Sequence, residues 1–170
     1  MNKIIITIVL LIMISGCNSK KNIRLEDNFL KKFSIERYLG KWDEVARTDN
    51  KFERGLTDVT AEYIIEKNNI IVINKGWDEN KQIWKTSKGY IKETSQLGRL
   101  KVSFFRPFYG SYNILYIDKD YKYALVGGNK SEYLWILKRR KEQMPKKLLD
   151  EYLDIAKKLG YDTKGMIFKK

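Results

Sequence analysis

The chain's single cysteine, Cys17, follows an apolar run from Ile4 to Ile14, with the small residues Ser15 and Gly16 directly before it. A thiolate is the strongest nucleophile an unmodified side chain offers, and small neighbours leave it open to a modifying enzyme. The rest of the reactive inventory is sparse. There is no histidine, which is the commonest general base and metal ligand, so the usual hydrolase triads and most zinc sites are excluded. Gly127-Gly128 stands alone and Gly110 has no glycine at phosphate-loop spacing. These residues point away from an enzyme: no catalytic residue, no metal and no cofactor is expected.

The run before Cys17 is too short to span a bilayer, which takes about 20 apolar residues. With Lys3 ahead of it and small residues behind, it has the form of a secretory signal. Ile14-Ser15-Gly16-Cys17 resembles the lipobox of bacterial lipoproteins. That resemblance implies that residues 1–16 are a removed signal peptide, that Cys17 receives a diacylglycerol and becomes an acylated N-terminus, and that residues 17–32 form the tether. A plain signal with an incidental cysteine is the alternative. Acylation accounts for a secreted chain with one unpaired thiol. By resemblance to the enterobacterial sorting rule, in which aspartate after the cysteine marks inner-membrane retention, Asn18 implies lipid anchoring at the outer membrane; the periplasmic face is the expected side.

The chain carries 34 Lys and Arg against 21 Asp and Glu, a formal charge of +13. A basic chain can serve nucleic acid, an anionic membrane or an anionic ligand. The leader removes the first, so no nucleic acid partner is expected. Lys20, Lys21, Lys31 and Lys32 stand near the anchor, where anionic headgroups would attract them. Lysines scattered over a solvated surface are the competing reading.

The elements that would position a site are mostly strands. Short runs of period-two alternation cover Trp42–Arg47, Val59–Ile65, Ile70–Asn74, Ile83–Ile91, Leu100–Phe104, Asn113–Ile117, Ala124–Gly127 and Tyr133–Lys138, separated by turn residues. Eight such runs joined by hairpins imply an all-β chain, either an antiparallel up-and-down barrel or a sandwich. Met144 to Leu159 instead places Leu148, Leu149, Tyr152, Leu153, Ile155, Ala156 and Leu159 at helical spacing, so one C-terminal α-helix should pack on the sheet from outside. Alternation puts Trp42, Glu44 and Ala46 on one inward face, and Ala61 and Tyr63 on the next. Val72 and Asn74 belong to the third run. Val102 and Phe104 face inward on the fifth, Tyr112, Ile114 and Tyr116 on the sixth, and Tyr133 and Trp135 on the last. Small residues among these aromatics favour a cavity. An eight-stranded barrel is just wide enough to fill itself or to hold one small ligand. An inward Glu44 needs a partner or a proton, and a structural hydrogen bond low in the barrel is expected.

Arg37-Tyr38-Leu39-Gly40-Lys41-Trp42 resembles the first signature of the lipocalins, with its Gly-x-Trp core. Phe52-Glu53-Arg54-Gly55-Leu56, Val72-Ile73-Asn74-Lys75-Gly76, Val102-Ser103-Phe104-Phe105 with Pro107-Phe108-Tyr109-Gly110, and Tyr133-Leu134-Trp135-Ile136-Leu137 follow in the order of the bacterial lipocalins, relatives of apolipoprotein D. The resemblance implies an eight-stranded calyx over residues 33–170. Its floor would be closed by Gly40 and Trp42, with Arg139 stacked across the indole. It implies a fatty acid or lysophospholipid ligand, stored or transported, lined by the inward residues above. The hydroxyls of Tyr63, Tyr112, Tyr116 and Tyr133 would orient a headgroup, with Lys75 and Arg106 as rim cations. Two departures stand out: Asp43 replaces an aromatic residue, and Lys119-Asp120-Tyr121 meets the second signature, Thr-Asp-Tyr, only partly. A filled barrel serving as an envelope scaffold is the alternative function. A homodimer through Phe105–Tyr109 is an alternative use of those aromatics.

Overall fold

The computed structural model describes Ile23, Leu30 and residues 32–169. The leader 1–16, Cys17, Lys20, Lys21, Lys31 and most of the 17–32 tether lie outside the described residues. The eight alternating runs are eight strands: β1 (Gly40–Arg47), β2 (Leu56–Glu66), β3 (Asn69–Asp78), β4 (Ile83–Glu93), β5 (Arg99–Phe105), β6 (Phe108–Ile117), β7 (Tyr123–Gly127) and β8 (Leu134–Arg139). Each pairs antiparallel with the next. β8 pairs back onto β1, and β1 onto β2, so the sheet closes into a barrel. Closure removes the unpaired edges that an open sheet would expose. The turn chemistry is local. Lys67 and Asn68, the two residues between β2 and β3, both have positive φ, as the tight hairpin turn that matches strand twist requires.

Two elements escape the alternation pattern. A single-turn helix, α1 (Ile35–Tyr38), precedes β1, and its N-terminus is capped by Ser34 Oγ, which accepts from the Arg37 N–H at 3.2 Å. A two-residue strand, β9 (Ile167–Phe168), pairs with Ala46 and Arg47 beyond the reach of the β1–β2 ladder. The C-terminal helix, α2 (Lys146–Lys158), begins directly after Pro145.

Apolar side chains divide into two cores separated by the barrel wall. The inner core holds Tyr38, Trp42, Tyr63, Val72, Ile91, Ile114, Ala124 and Val126. The outer core packs Tyr152 and Ala156 of α2 against Ala46, Leu115, Leu125, Leu134 and Ile136. β7 is buried on both faces, which is why Ala124-Leu125-Val126 reads as a continuous apolar run.

The two-core division corrects two inward assignments. The β1–β8 register shifts between Glu44 and Ala46, so Val45 is an extra residue and the strand changes phase. Ala46 therefore faces α2, fully buried in the outer core, and does not line the barrel interior. The β6–β7 register shifts likewise between Ile114 and Tyr116. Tyr116 points outward, its ring 5.3 Å from that of Tyr152. A one-residue insertion moves every later side chain to the other face, and strict alternation does not reveal it.

Candidate functional site: the calyx

The barrel is closed at one end and open at the other. At the closed end, Trp42 is fully buried and donates its indole N–H to the Tyr38 carbonyl at 2.9 Å. The Arg139 guanidinium lies 3.9 Å from the Trp42 ring centroid. It also donates to the carbonyls of Tyr121 at 3.0 Å, Leu39 at 2.9 Å and Arg37 at 2.7 Å. Such a cation–π contact contributes about 0.5–2 kcal/mol, and the carbonyl bonds tie α1 and the β6–β7 turn to the end of β8. Gly40 makes room for this arrangement: its φ is +96°, and a Cβ there would meet Arg139 Nη1 at 3.3 Å. Asp43 pairs with Lys138 at 3.6 Å. Tyr121 accepts the Ser34 backbone N–H on its hydroxyl and stacks under Arg37 at 4.1 Å. Both departures from the family pattern therefore take part in contacts at the closed end or in the barrel wall.

Above the floor lies a cavity of about 1050 Å³. Its lower part carries three tyrosines. The hydroxyls of Tyr38 and Tyr112 are 2.9 Å apart, and those of Tyr63 and Tyr112 are 2.5 Å apart. Burial pushes the Tyr63 hydroxyl up to about 12 and the other two well above their ordinary value. All three are thus neutral, and they satisfy one another where water is scarce. The walls are Ala61, Val72, Asn74, Val102 and Phe104, with Tyr133 and Trp135 stacked at 6.2 Å on the opposite side. Tyr63 and Tyr112 also line the cavity. Ile114 faces inward but lies in the core rather than on the cavity wall, so it does not belong to the lining. Gly89 matters to the width: a Cβ there would sit 2.8 Å from Phe104 and 2.9 Å from Val72.

A polar cluster stands on the wall one inward position above Trp42 on β1. Glu44 is ion-paired with Arg47, and both are almost completely buried. Arg47 donates further to the carbonyls of Glu53 at 3.0 Å and Leu56 at 2.8 Å. The Glu53 carboxylate accepts from the Trp135 indole and from Asn50, each at 2.7 Å. The cluster thereby fastens the β1–β2 loop over the cavity edge. Burial, reinforced by the nearby Glu53 charge, raises the Glu44 carboxyl to about 7, and Arg47 only partly opposes this. Glu44 Oε2 and Arg47 Nε have no hydrogen-bond partner among the described residues.

The mouth is formed by connections 48–55, 79–82, 106–107 and 128–133. Lys75 lines it with its ammonium 4.4 Å from the Trp84 ring centroid. Arg106 does not line it; its guanidinium stacks 3.8 Å from the Tyr90 ring centroid. Tyr38, Phe52 and Glu53 belong to the site but escaped the strand pattern, because one lies on α1 and two lie on a loop. Tyr38 stood in the Arg37–Trp42 signature, and Phe52 and Glu53 in the Phe52–Leu56 motif, so the family resemblance was the signal that could find them. No alternation marks Glu53 as inward, because it lies on a loop.

Among the described residues, no group of three or more acidic, cysteine or histidine side chains could hold a metal ion, and no helix is long and apolar enough to cross a membrane. A closed eight-stranded barrel with a plugged floor, an apolar cavity and an external C-terminal helix defines a calyx-type binding protein. Comparison with known proteins gives the family. Residues 33–170 match the lipocalin-like domain, and residues 1–18 match the prokaryotic membrane lipoprotein lipid attachment site. The chain is 46% identical over 140 residues to the outer membrane lipoprotein Blc of Vibrio cholerae, covering 80% of this chain and 81% of the relative. It is 38% identical over 164 residues to the protein of the same name from Citrobacter freundii, covering 93% and 90%. Lobster apocrustacyanin A1 superposes with a TM-score of 0.71 over 88% of each chain at 16% identity, a likeness of fold alone. The chain belongs to the lipocalin family, and it is a lipid-anchored lipoprotein of the outer membrane.

Proposed function

We propose that the calyx takes up one single-chain amphiphile, a fatty acid or lysophospholipid, and stores or carries it at the periplasmic face of the outer membrane. The observation that carries this reading is the floored cavity of about 1050 Å³ with mainly apolar walls. An acyl chain gains about 0.8 kcal/mol per methylene removed from water, so such a wall binds it without many directional contacts. The tyrosine hydroxyls satisfy one another beneath it. A headgroup would remain near the mouth, where Lys75, Lys85 and Lys130 stand. A filled barrel acting only as a scaffold finds no support in a cavity of this size.

The test follows tryptophan fluorescence of the delipidated protein during titration with lysophospholipid or fatty acid. Trp135 lines the cavity, so a saturable change at one ligand per chain is expected. Ala61→Trp, which fills the wall opposite Asn74, should weaken binding by about tenfold or more, worth at least about 1.4 kcal/mol, with circular dichroism unchanged. Absence of saturable binding for both ligand classes would overturn the reading.

A further inference from the structure

The geometry points to a second interaction surface. We propose that the rim of the calyx is itself a membrane-docking surface and that the barrel sits mouth-down on the bilayer that holds its anchor. This rests on the reading of the calyx as a lipid site, and it adds an orientation and a route for the ligand.

The first observation is where the chain arrives. Ile23 is buried and donates its backbone N–H to the Asn129 carbonyl at 2.6 Å. Asn129 lies on the 128–133 connection, which borders the cavity mouth. Leu30, in contrast, packs by Gly98 at the closed end. Ile23 thus touches the 128–133 connection, and it also lines an outer groove with Thr94, Ser95 and Gln96 of the β4–β5 connection. Ile23 is six positions after Cys17, a span of at most about 20 Å when fully extended. The ten residues of β3 run about 33 Å, or roughly 25 Å along the axis of a barrel with ordinary strand tilt. An anchor on this leash keeps the barrel close to the membrane, and the character of the rim selects which end turns toward it.

The second observation is what the mouth exposes. Phe52 is 70% exposed on the first connection, and Phe105 and Phe108, which flank the third, are 76% and 70% exposed. The last two stack in parallel, ring centroids 6.3 Å apart, at the tip of the β5–β6 hairpin. Ile83 and Trp84 add about half-exposed apolar surface at the start of β4. Soluble proteins rarely leave such rings of large apolar side chains uncovered unless a partner takes them. Two of these aromatics have cations beside them: Lys51 is 5.1 Å from the Phe52 ring centroid, and Lys75 is 4.4 Å from that of Trp84. Arg106 stands at the hairpin tip between Phe105 and Pro107. Exposed Phe, Trp and Ile side chains can bury at the boundary of headgroups and acyl chains, and neighbouring cations can reach the phosphates. A bilayer surface fits this pattern of rings and cations around an opening that leads to an acyl-chain cavity.

The experiment uses the full acylated chain in vesicles of phosphatidylethanolamine and phosphatidylglycerol. Acylation consumes the only native thiol, so Phe105→Cys offers one site for an environment-sensitive fluorophore. Lys119→Cys does the same at the closed end. The label at position 105 should shift to the blue, be quenched by nitroxide-bearing lipid and be shielded from aqueous iodide. The label at position 119 should show the reverse. A label at 105 that stays open to iodide would overturn the proposal, as would one shielded by a second copy of the chain and untouched by lipid nitroxide. Phe105→Ser with Phe108→Ser should slow uptake of lysophospholipid from vesicles by about tenfold, because docking strength scales with buried apolar area. Phe105 and Phe108 also border the cavity, so the binding control is Ile83→Ser with Trp84→Ser, rim positions outside the lining. In that variant uptake from vesicles should slow, while monomeric lysophospholipid in solution binds as to the parent. Loss of solution binding in the parent would refute the ligand reading instead, so the two failures are distinguishable.

Discussion

Glu44 shows at the scale of one residue how the barrel constrains its own chemistry. Strict alternation places Glu44 and Arg47, three residues apart, on opposite faces of a strand. The extra residue at Val45 turns Arg47 inward, and the two meet as a buried pair. The sequence made an inward carboxylate visible through Trp42-Asp43-Glu44, but not the partner, because the bulge leaves no compositional mark. Burial and Glu53 still hold the carboxyl at about 7, against an ordinary value of 4.5. The sign follows from proton counting. In the folded state Glu44 keeps a proton that the unfolded chain releases, so its contribution is fully present below about pH 4.5. It is lost as pH rises through 7. The loss is on the order of 3 kcal/mol at most. Glu44→Gln keeps a carbonyl for Arg47 and removes the titration. Urea unfolding of the variant from pH 4.5 to 7.5 should show a flatter stability profile than the parent. Equal slopes in the two proteins would mean that Glu44 is ionised throughout.

At the scale of the element, the eight strands were legible because a barrel with water outside and an apolar interior enforces period two on every wall. The C-terminal helix was legible from its 3.6-residue stripe. What alternation could not carry was phase after a bulge, and this decided Ala46 and Tyr116. The calyx lining was consequently readable on β2, β3 and β5 and misread on β1 and β6. α1 and β9 were too short for any periodicity to register. The corrected phase of β1 has a measurable consequence. Ala46 is wedged between Ile136 and α2, with no surface exposed. Ala46→Leu should therefore overpack the outer core and lower stability by about 1–3 kcal/mol, read as a fall in the thermal midpoint. Ligand affinity should stay within about twofold of the parent, a change under about 0.5 kcal/mol. If Ala46→Leu instead emptied the calyx with stability intact, the bulge at Val45 would be misplaced and Ala46 would belong to the lining after all.

At the scale of the whole molecule, two lipid-handling devices are joined by a short leash: the lipid anchor, for which Cys17 is the proposed attachment point within the matched residues 1–18, and a calyx proposed for an exchangeable acyl chain. They are physically independent. The acyl chains hold the chain at the membrane by burying methylenes at about 0.8 kcal/mol each, whereas the calyx owes its shape to the closed ladder, the Trp42–Arg139 floor and α2. Cys17→Ser separates them. The variant has no thiol to receive diacylglycerol, so it should leave the outer-membrane fraction on density-gradient separation. Its calyx should still bind lysophospholipid one to one, with the parent's affinity in solution. Uptake from vesicles should fall, because the rim aromatics alone must then find the bilayer without the anchor's local concentration. Added Phe105→Ser and Phe108→Ser should reduce that residual uptake further. Continued fractionation of Cys17→Ser with the outer membrane would show that the anchor is not what holds the protein there. Uptake as fast as the parent's would show that leash and mouth do not act together.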